Sequence, residues 1–380
     1  MSKIKIDNNT RITLDLKKQQ LGGESFVVGD DRNGVFVELP SEAVDIINLC
    51  DGNHTIEEIQ NIIETKYGEI YNILEFILDL YDLKLVYMIN GEIVEDRNEI
   101  KHWKITKCIA HIFFNNKAHI VYTIIIVLNI CMILLIQDNI PYYGNAKIIN
   151  NHSGLSLLCF SFIGIIITIL HELGHYLSAV ELQMPSKVKL NLRLFYLVVE
   201  TDINSIWAVN RNKRYMCYLA GLYVENIILL ITLFIKGFYC VGNLGNRICN
   251  AIILTIFLNF VWQLMIFLRT DFYYIILNYL NVSTLHFSAM QLLKNIRNIN
   301  KRKIEKRIIA YLIVYILGVI ASVVYLVNEI FIYANLFIAS MYKTKFDFDT
   351  VCFWGVMVLN FVMWWKGAYN KYIEYKMGVD

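Results

Sequence analysis

Proline and charge are scarce in this chain of 380 residues, which has three prolines and only 18% Asp, Glu, Lys and Arg. So little charge, beside 56% hydrophobic residues and a mean hydropathy of +0.46, excludes an ordinary soluble enzyme and indicates a polytopic membrane protein. Few prolines imply long helices joined by few loops. The eight cysteines contain no CxxC pair and no regular spacing, which removes the usual redox and structural-zinc patterns. Only Cys240 and Cys249 flank one outer loop where a disulfide is open to them; most of the others read as inert small hydrophobes. Residues 1–20 carry no apolar stretch, so no signal peptide is expected and the N-terminus should stay in the cytoplasm.

What is present divides the chain near residue 100. In residues 1–100, Ser25-Phe26-Val27-Val28-Gly29 and Val35-Phe36-Val37-Glu38-Leu39 flank Asp30-Asp31-Arg32-Asn33-Gly34, a hairpin signal. Pro40-Ser41 opens a helix with Ala43, Ile46, Ile47 and Cys50 on one side. Thr55-Ile56-Glu57-Glu58 is a capping box that opens a second helix. Ile70, Ile73, Leu74, Ile77, Leu78 and Leu80 mark a third, and Leu85 to Val94 closes with a wing. The expectation is a small α+β winged-helix-like cytosolic domain.

Residues 101–380 alternate apolar spans with polar loops. Six spans, 119–136, 156–177, 216–235, 250–268, 308–327 and 350–365, are each about long enough to cross a bilayer. Residues 329–341 are apolar too and read as a half-span or a surface segment. Loops 101–117, 181–215 and 283–307 are basic while 137–155 and 237–249 are nearly not, which places both termini in the cytoplasm of a multi-pass plasma-membrane protein. The basic run from Lys294 to Arg307 then faces anionic lipid rather than nucleic acid.

The second span ends in His171-Glu172-Leu173-Gly174-His175, after a run from Ser156 to Leu170 without a single charge. Two histidines four apart share a helix face and can reach one Zn2+, and the glutamate beside them can act as a general base. Ionisable groups in such a segment are costly and usually functional. A third protein ligand is needed, and Asp271 is the best placed, as the only acidic residue between Glu225 and Glu305 and close to the end of span four. Glu225 and Asp202 are next in line.

The pair of motifs resembles the site-2 protease superfamily of intramembrane zinc metalloproteases, in particular putative peptide zinc metalloproteases. There an HExxH helix precedes a segment reading Asn-Leu-x-Pro-Phe-x-Arg-Thr-Asp-Gly-Tyr-Tyr. Here Gln263-Leu264-Met265-Ile266-Phe267-Leu268-Arg269-Thr270-Asp271-Phe272-Tyr273-Tyr274 is similar, which implies that Asp271 is the third ligand. Gln263, in the asparagine's place, or Asn259 one turn earlier would then orient substrate or the oxyanion. Phe272 stands for glycine, so backbone angles open mainly to glycine are lost beside the ligand. Glu200-Thr201-Asp202, Arg214 and the helix from Leu219 to Asn226 resemble the family's cytoplasmic loop and following helix, with Glu225 and Asn226 as candidates for lining a water path or holding substrate. The N-terminal domain, from about Gly22 to Ile93, resembles the peptide-binding chaperone PqqD and leader-recognition domains. That implies strand addition of a peptide at a sheet edge near Phe26, Val28, Val35 and Val37.

Together these imply a zinc endopeptidase that processes a ribosomally made precursor peptide at the lipid bilayer, beside a modifying enzyme and an exporter. The alternatives are a protease cutting a membrane-bound regulator and a non-catalytic peptide-docking or immunity protein.

Overall fold

The computed structural model describes residues 6–20, 25–30, 35–94, 104–149, 152–194, 196–238, 242–294, 305–341 and 348–376. The expected turn residues 31–34, Cys240 of the suggested disulfide, and 295–304 of the basic run lie outside them.

The N-terminal domain runs through β1 (Arg11–Thr13), β2 (Lys17–Gln20), β3 (Ser25–Asp30), β4 (Val35–Pro40), α1 (Ser41–Leu49), β5 (Asp51–Thr55), α2 (Ile56–Tyr67), α3 (Ile73–Asp82), β6 (Met88–Ile89) and β7 (Glu92–Ile93). Its strands form two antiparallel sheets, ordered β5-β1-β6-β7 and β2-β3-β4. The capping box forms in full: Thr55 N donates to Glu58 Oε2 at 2.8 Å and Glu58 N to Thr55 Oγ1 at 3.2 Å. Ile12, Ile59, Ile63, Ile73, Ile77 and Leu85 build a fully buried apolar core.

One expectation changes here. β3 is the central strand of its sheet, paired with β2 from Lys17↔Gly29 to Gln20↔Phe26 and with β4 from Ser25↔Pro40 to Asp30↔Val35. Main-chain groups of Phe26 and Val28 are therefore already engaged, because β2 supplies a third strand that the polar residues 17–20 did not announce. Among the described residues of this sheet, the edges open to an added strand are β4, which carries Val35 and Val37, and β2.

The helical body comprises α4 (Lys104–Phe114), α5 (Ala118–Leu135), α6 (Ser153–Glu181), a hairpin of β8 (Lys187–Arg193) and β9 (Tyr196–Asp202), α7 (Arg211–Phe238), α8 (Gly242–Gln263), α9 (Asp271–Leu280), α10 (Leu285–Lys294), α11 (Lys306–Met341) and α12 (Phe348–Lys376). Among the described residues, six helices are long and apolar enough to cross a membrane: α5, α6, α7, α8, Lys306–Asn328 of α11 and Phe348–Asn370 of α12. These are the six spans expected. The apolar segment 329–341 is no separate element, since its backbone continues α11. Span four stops at Gln263, and 264–270 form a short irregular link containing a 3-10 turn, Ile266–Leu268.

α6 and α7 approach closely because both carry glycine at the contact. A Cβ on Gly174 would lie 2.7 Å from the Ala220 carbonyl oxygen, and one on Gly221 would lie 2.2 Å from His171 Nε2. The N-terminal sheet β2-β3-β4 packs on the 3-10 turn Asn204–Ala208, which follows β9. Fully buried Arg214 ties the parts together: its guanidinium donates to Gln19 Oε1 at 2.6 Å and to the carbonyls of Trp207 and Val209, and it lies 4.8 Å from the Trp207 ring centroid.

Candidate metal centre

His171 and His175 lie on one face of α6, one turn apart, and Asp271 is the first residue of α9, aimed at both. Asp271 Oδ2 is 3.1 Å from His171 Nε2 and 3.1 Å from His175 Nε2, and the two Nε2 atoms are 3.2 Å apart. The opposite ring nitrogens fix what these atoms are. His175 Nδ1 sits 2.8 Å from the Cys217 carbonyl oxygen, which can only accept, so Nδ1 carries a hydrogen and, in the neutral ring, Nε2 is left with the lone pair. His171 Nδ1 is 3.0 Å from Glu225 Oε1, which also accepts from Asn259 Nδ2 at 2.9 Å. With both rings neutral, the form a metal ligand takes, two lone pairs and a carboxylate oxygen converge, an arrangement that repels itself unless a cation sits between. Zinc bonds of about 2.0–2.1 Å to nitrogen or oxygen would set tetrahedral ligand separations of about 3.3–3.4 Å. The separations of 3.1–3.2 Å fit. The trio can hold a metal ion, and it is the one such group of three found among the described residues.

Asp271 is aimed by its own chain. Arg269 takes the left-handed conformation at φ 57°, the Thr270 hydroxyl donates to the Gln263 carbonyl at 2.6 Å, and Asp271 N donates to Gln263 Oε1 at 3.0 Å. The unusual angle thus falls on Arg269, two residues before the ligand, and Phe272 is plain helix packed edge-on against Phe260.

A cavity of about 160 Å³ opens beside the trio, lined by Glu172, Thr201, Asp202, Trp262 and Gln263 among others. The Thr201 hydroxyl donates to Glu172 Oε2 at 2.7 Å, fixing the carboxylate. Gln263 Nε2 is 3.4 Å from His171 Nε2, so an amide donor lies beside the ligand atoms. Asp202 lines the cavity but stands apart from the trio, 3.7 Å from Lys189 Nζ.

Other expected substrate residues lie elsewhere. Glu225 sits behind His171 rather than in the cavity, with Asn259 donating to it, so the pair would orient the His171 ring if it binds a metal; an acid on an imidazole's far nitrogen is a usual way to fix a metal-binding histidine. Asn226 faces α5, where Asn129 Nδ2 donates to its backbone oxygen at 2.9 Å and its Oδ1 at 3.1 Å, an interhelical polar pair away from the cavity.

The β8–β9 hairpin was missed, although Lys187-Val188-Lys189-Leu190-Asn191-Leu192-Arg193 alternates polar and apolar with a period of two. Among the described residues, the fold and site define a protein with six candidate membrane helices and a buried group of two histidines and one carboxylate that could hold a metal ion. No protein-family model matches the chain, and no curated protein or solved structure matches it.

Proposed function

We propose that the chain is an intramembrane zinc endopeptidase of site-2 protease type that processes a ribosomally made precursor peptide in the plasma membrane, with both termini in the cytoplasm. The observation that carries the reading is the convergence of His171, His175 and Asp271 acceptor atoms beside a buried glutamate, inside a body whose outer surface is apolar. His171, His175 and Asp271 would hold the zinc ion. When bound, zinc supplies Lewis-acid polarisation of water and of a peptide carbonyl. Glu172, held by Thr201, takes the proton of the attacking water and returns it to the leaving amide nitrogen. Gln263 offers an N–H to the developing negative charge on the carbonyl oxygen. Because the reaction consumes water, a polar cavity among the helices is required, and the cavity beside Glu172 meets that need.

The N-terminal domain is the recruiting part in this reading. Its sheet packs on the turn whose Asn204, Ile206 and Trp207 line the cavity, so a leader held at the β4 edge keeps the attached substrate near the metal. A modifying enzyme and an exporter are the partners this role implies.

Two measurements test it. In purified full-length protein, Glu172→Gln should keep zinc and fold while peptide hydrolysis falls by about 10²–10⁴-fold; His171→Ala should lose the zinc. Hydrolysis near the wild-type rate in Glu172→Gln would remove Glu172 as the base. Deleting residues 1–100 should slow cleavage of a full precursor by about 100-fold or more while sparing a leaderless fragment. Equal loss on both substrates would favour cleavage of a membrane-bound regulator instead.

A further inference from the structure

Arg193 ends β8 at the rim of the site, and its guanidinium is committed on two sides. Towards the hairpin, Nη2 and Nε lie 2.6 and 3.1 Å from Glu200 Oε2 on β9. Towards the metal centre, Nη1 donates to the Leu268 carbonyl at 3.0 Å and to the Arg269 carbonyl. Those two carbonyls belong to the irregular link directly upstream of Asp271, where Arg269 is held at φ 57°. A side-chain-bearing residue in that conformation costs about 1 kcal/mol or more and persists only where its surroundings impose it. Gln263 holds the link from α8, through Thr270 and the Asp271 amide. Arg193 is the matching hold from the hairpin.

We propose that Arg193 is a positioning residue through which the β8–β9 hairpin fixes the ligand carboxylate of Asp271. The same hairpin carries Thr201, which holds Glu172. One hairpin thus aims both the base and the third ligand, from opposite ends of its paired segment. Glu200 completes the device: burial raises its carboxyl, but Arg193 and the Asn191 amide hold it below its usual range, so it stays charged opposite the guanidinium. A planar guanidinium reaches a carboxylate along one edge and two carbonyls from the other; an ammonium's three donors sit on a single atom and do not span that distance.

This inference rests on the metal-centre reading, and the test separates the two. Zinc affinity of purified full-length protein is measured by chelator competition without substrate, and the visible spectrum of bound Co2+ reports the ligand geometry. Arg193→Met should weaken zinc binding by about 10–100-fold, the range for residues that position a metal ligand, and should shift the Co2+ bands. Arg193→Lys should recover part of the affinity, and Glu200→Gln should move both readouts in the same direction by less. Wild-type affinity and an unchanged spectrum in Arg193→Met would overturn the proposal while leaving the metal centre intact. Should Arg193→Met fail to fold, unchanged affinity and spectrum in Glu200→Gln would overturn it equally. A wild-type protein that binds neither ion would overturn both readings.

Discussion

In the N-terminal domain Ile12, Ile59 and Ile77 are wholly buried, whereas in the helical body Arg214 and Glu225 are buried and Ile124, Phe162 and Ile169 face out. The two regions of one chain have their polarities reversed. The first sorts its side chains as water requires. The second exposes isoleucine and phenylalanine along α5 and α6 and gathers His171, Glu172, His175, Glu225 and Gln263 inside. Such a surface suits hydrocarbon, where apolar side chains have no reason to hide and polar ones seek each other. The contrast also explains how a carboxylate-rich site is tolerated: within the body every charged group at the centre has a named partner.

The sharpest test of the contrast is packing around the polar interior. Gly221→Ala would place a Cβ 2.2 Å from Nε2 of His171, far inside van der Waals contact, and α6 and α7 are already in contact. If the trio holds zinc as proposed, the expected outcome is loss of nearly all of it, read by metal analysis of folded protein. A Gly221→Ala protein with full zinc would show that the interface yields more than the contact distances imply.

The next test sets apolar residues of the two regions against each other. Ile59→Ala should destabilise the N-terminal domain by about 2–5 kcal/mol, because a wholly buried side chain leaves a cavity. Ile124→Lys should cost about 2.5–3.5 kcal/mol of membrane insertion if α5 lies in lipid, whereas Ile62→Lys, comparably open in α2, should stay within about 0.5 kcal/mol. Unfolding midpoints for the first region and an insertion assay for the second give the comparison. Equal tolerance of lysine at 124 and 62 would mean that α5 faces water.

Much of this was legible in the sequence because strong local rules were at work. Unbroken apolar runs marked the six spans, Thr55 and Glu58 announced α2, and the four-residue histidine spacing named one face of α6. Asp271 could be singled out because no other acid lies nearby in the chain. What escaped were features decided by distant partners. β2 is made of Lys17, Lys18, Gln19 and Gln20, and only pairing with β3 makes it a strand. β8 does alternate, but its basic residues read equally well as a cytoplasmic loop. The roles of Glu225 and Asn259 depended on which side of the His171 ring they occupy, which helix periodicity alone does not give.

The smallest effect expected belongs to the water-facing side of the comparison. Asp51 begins β5 and accepts from the Asn53 amide at 2.8 Å, from Asn53 Nδ2 at 3.0 Å, and lies 3.2 Å from His54 Nδ1. These bonds, the Asn53 backbone first, lower its pKa to about 2 from an ordinary 3.8. A carboxyl depressed on folding contributes stability that is fully present above its unfolded value and is lost as pH falls through the folded one. Residues 1–100 made alone should therefore fold, having their own core, and should lose a small part of their stability between about pH 4 and 2 that Asp51→Asn does not lose. Unfolding midpoints of both proteins across pH 5 to 2 measure it. Parallel curves would mean that the Asp51 bonds are no stronger folded than unfolded. Failure of the isolated domain to fold at pH 7 would break the comparison itself, since its buried isoleucines would then need the helical body to hold them together.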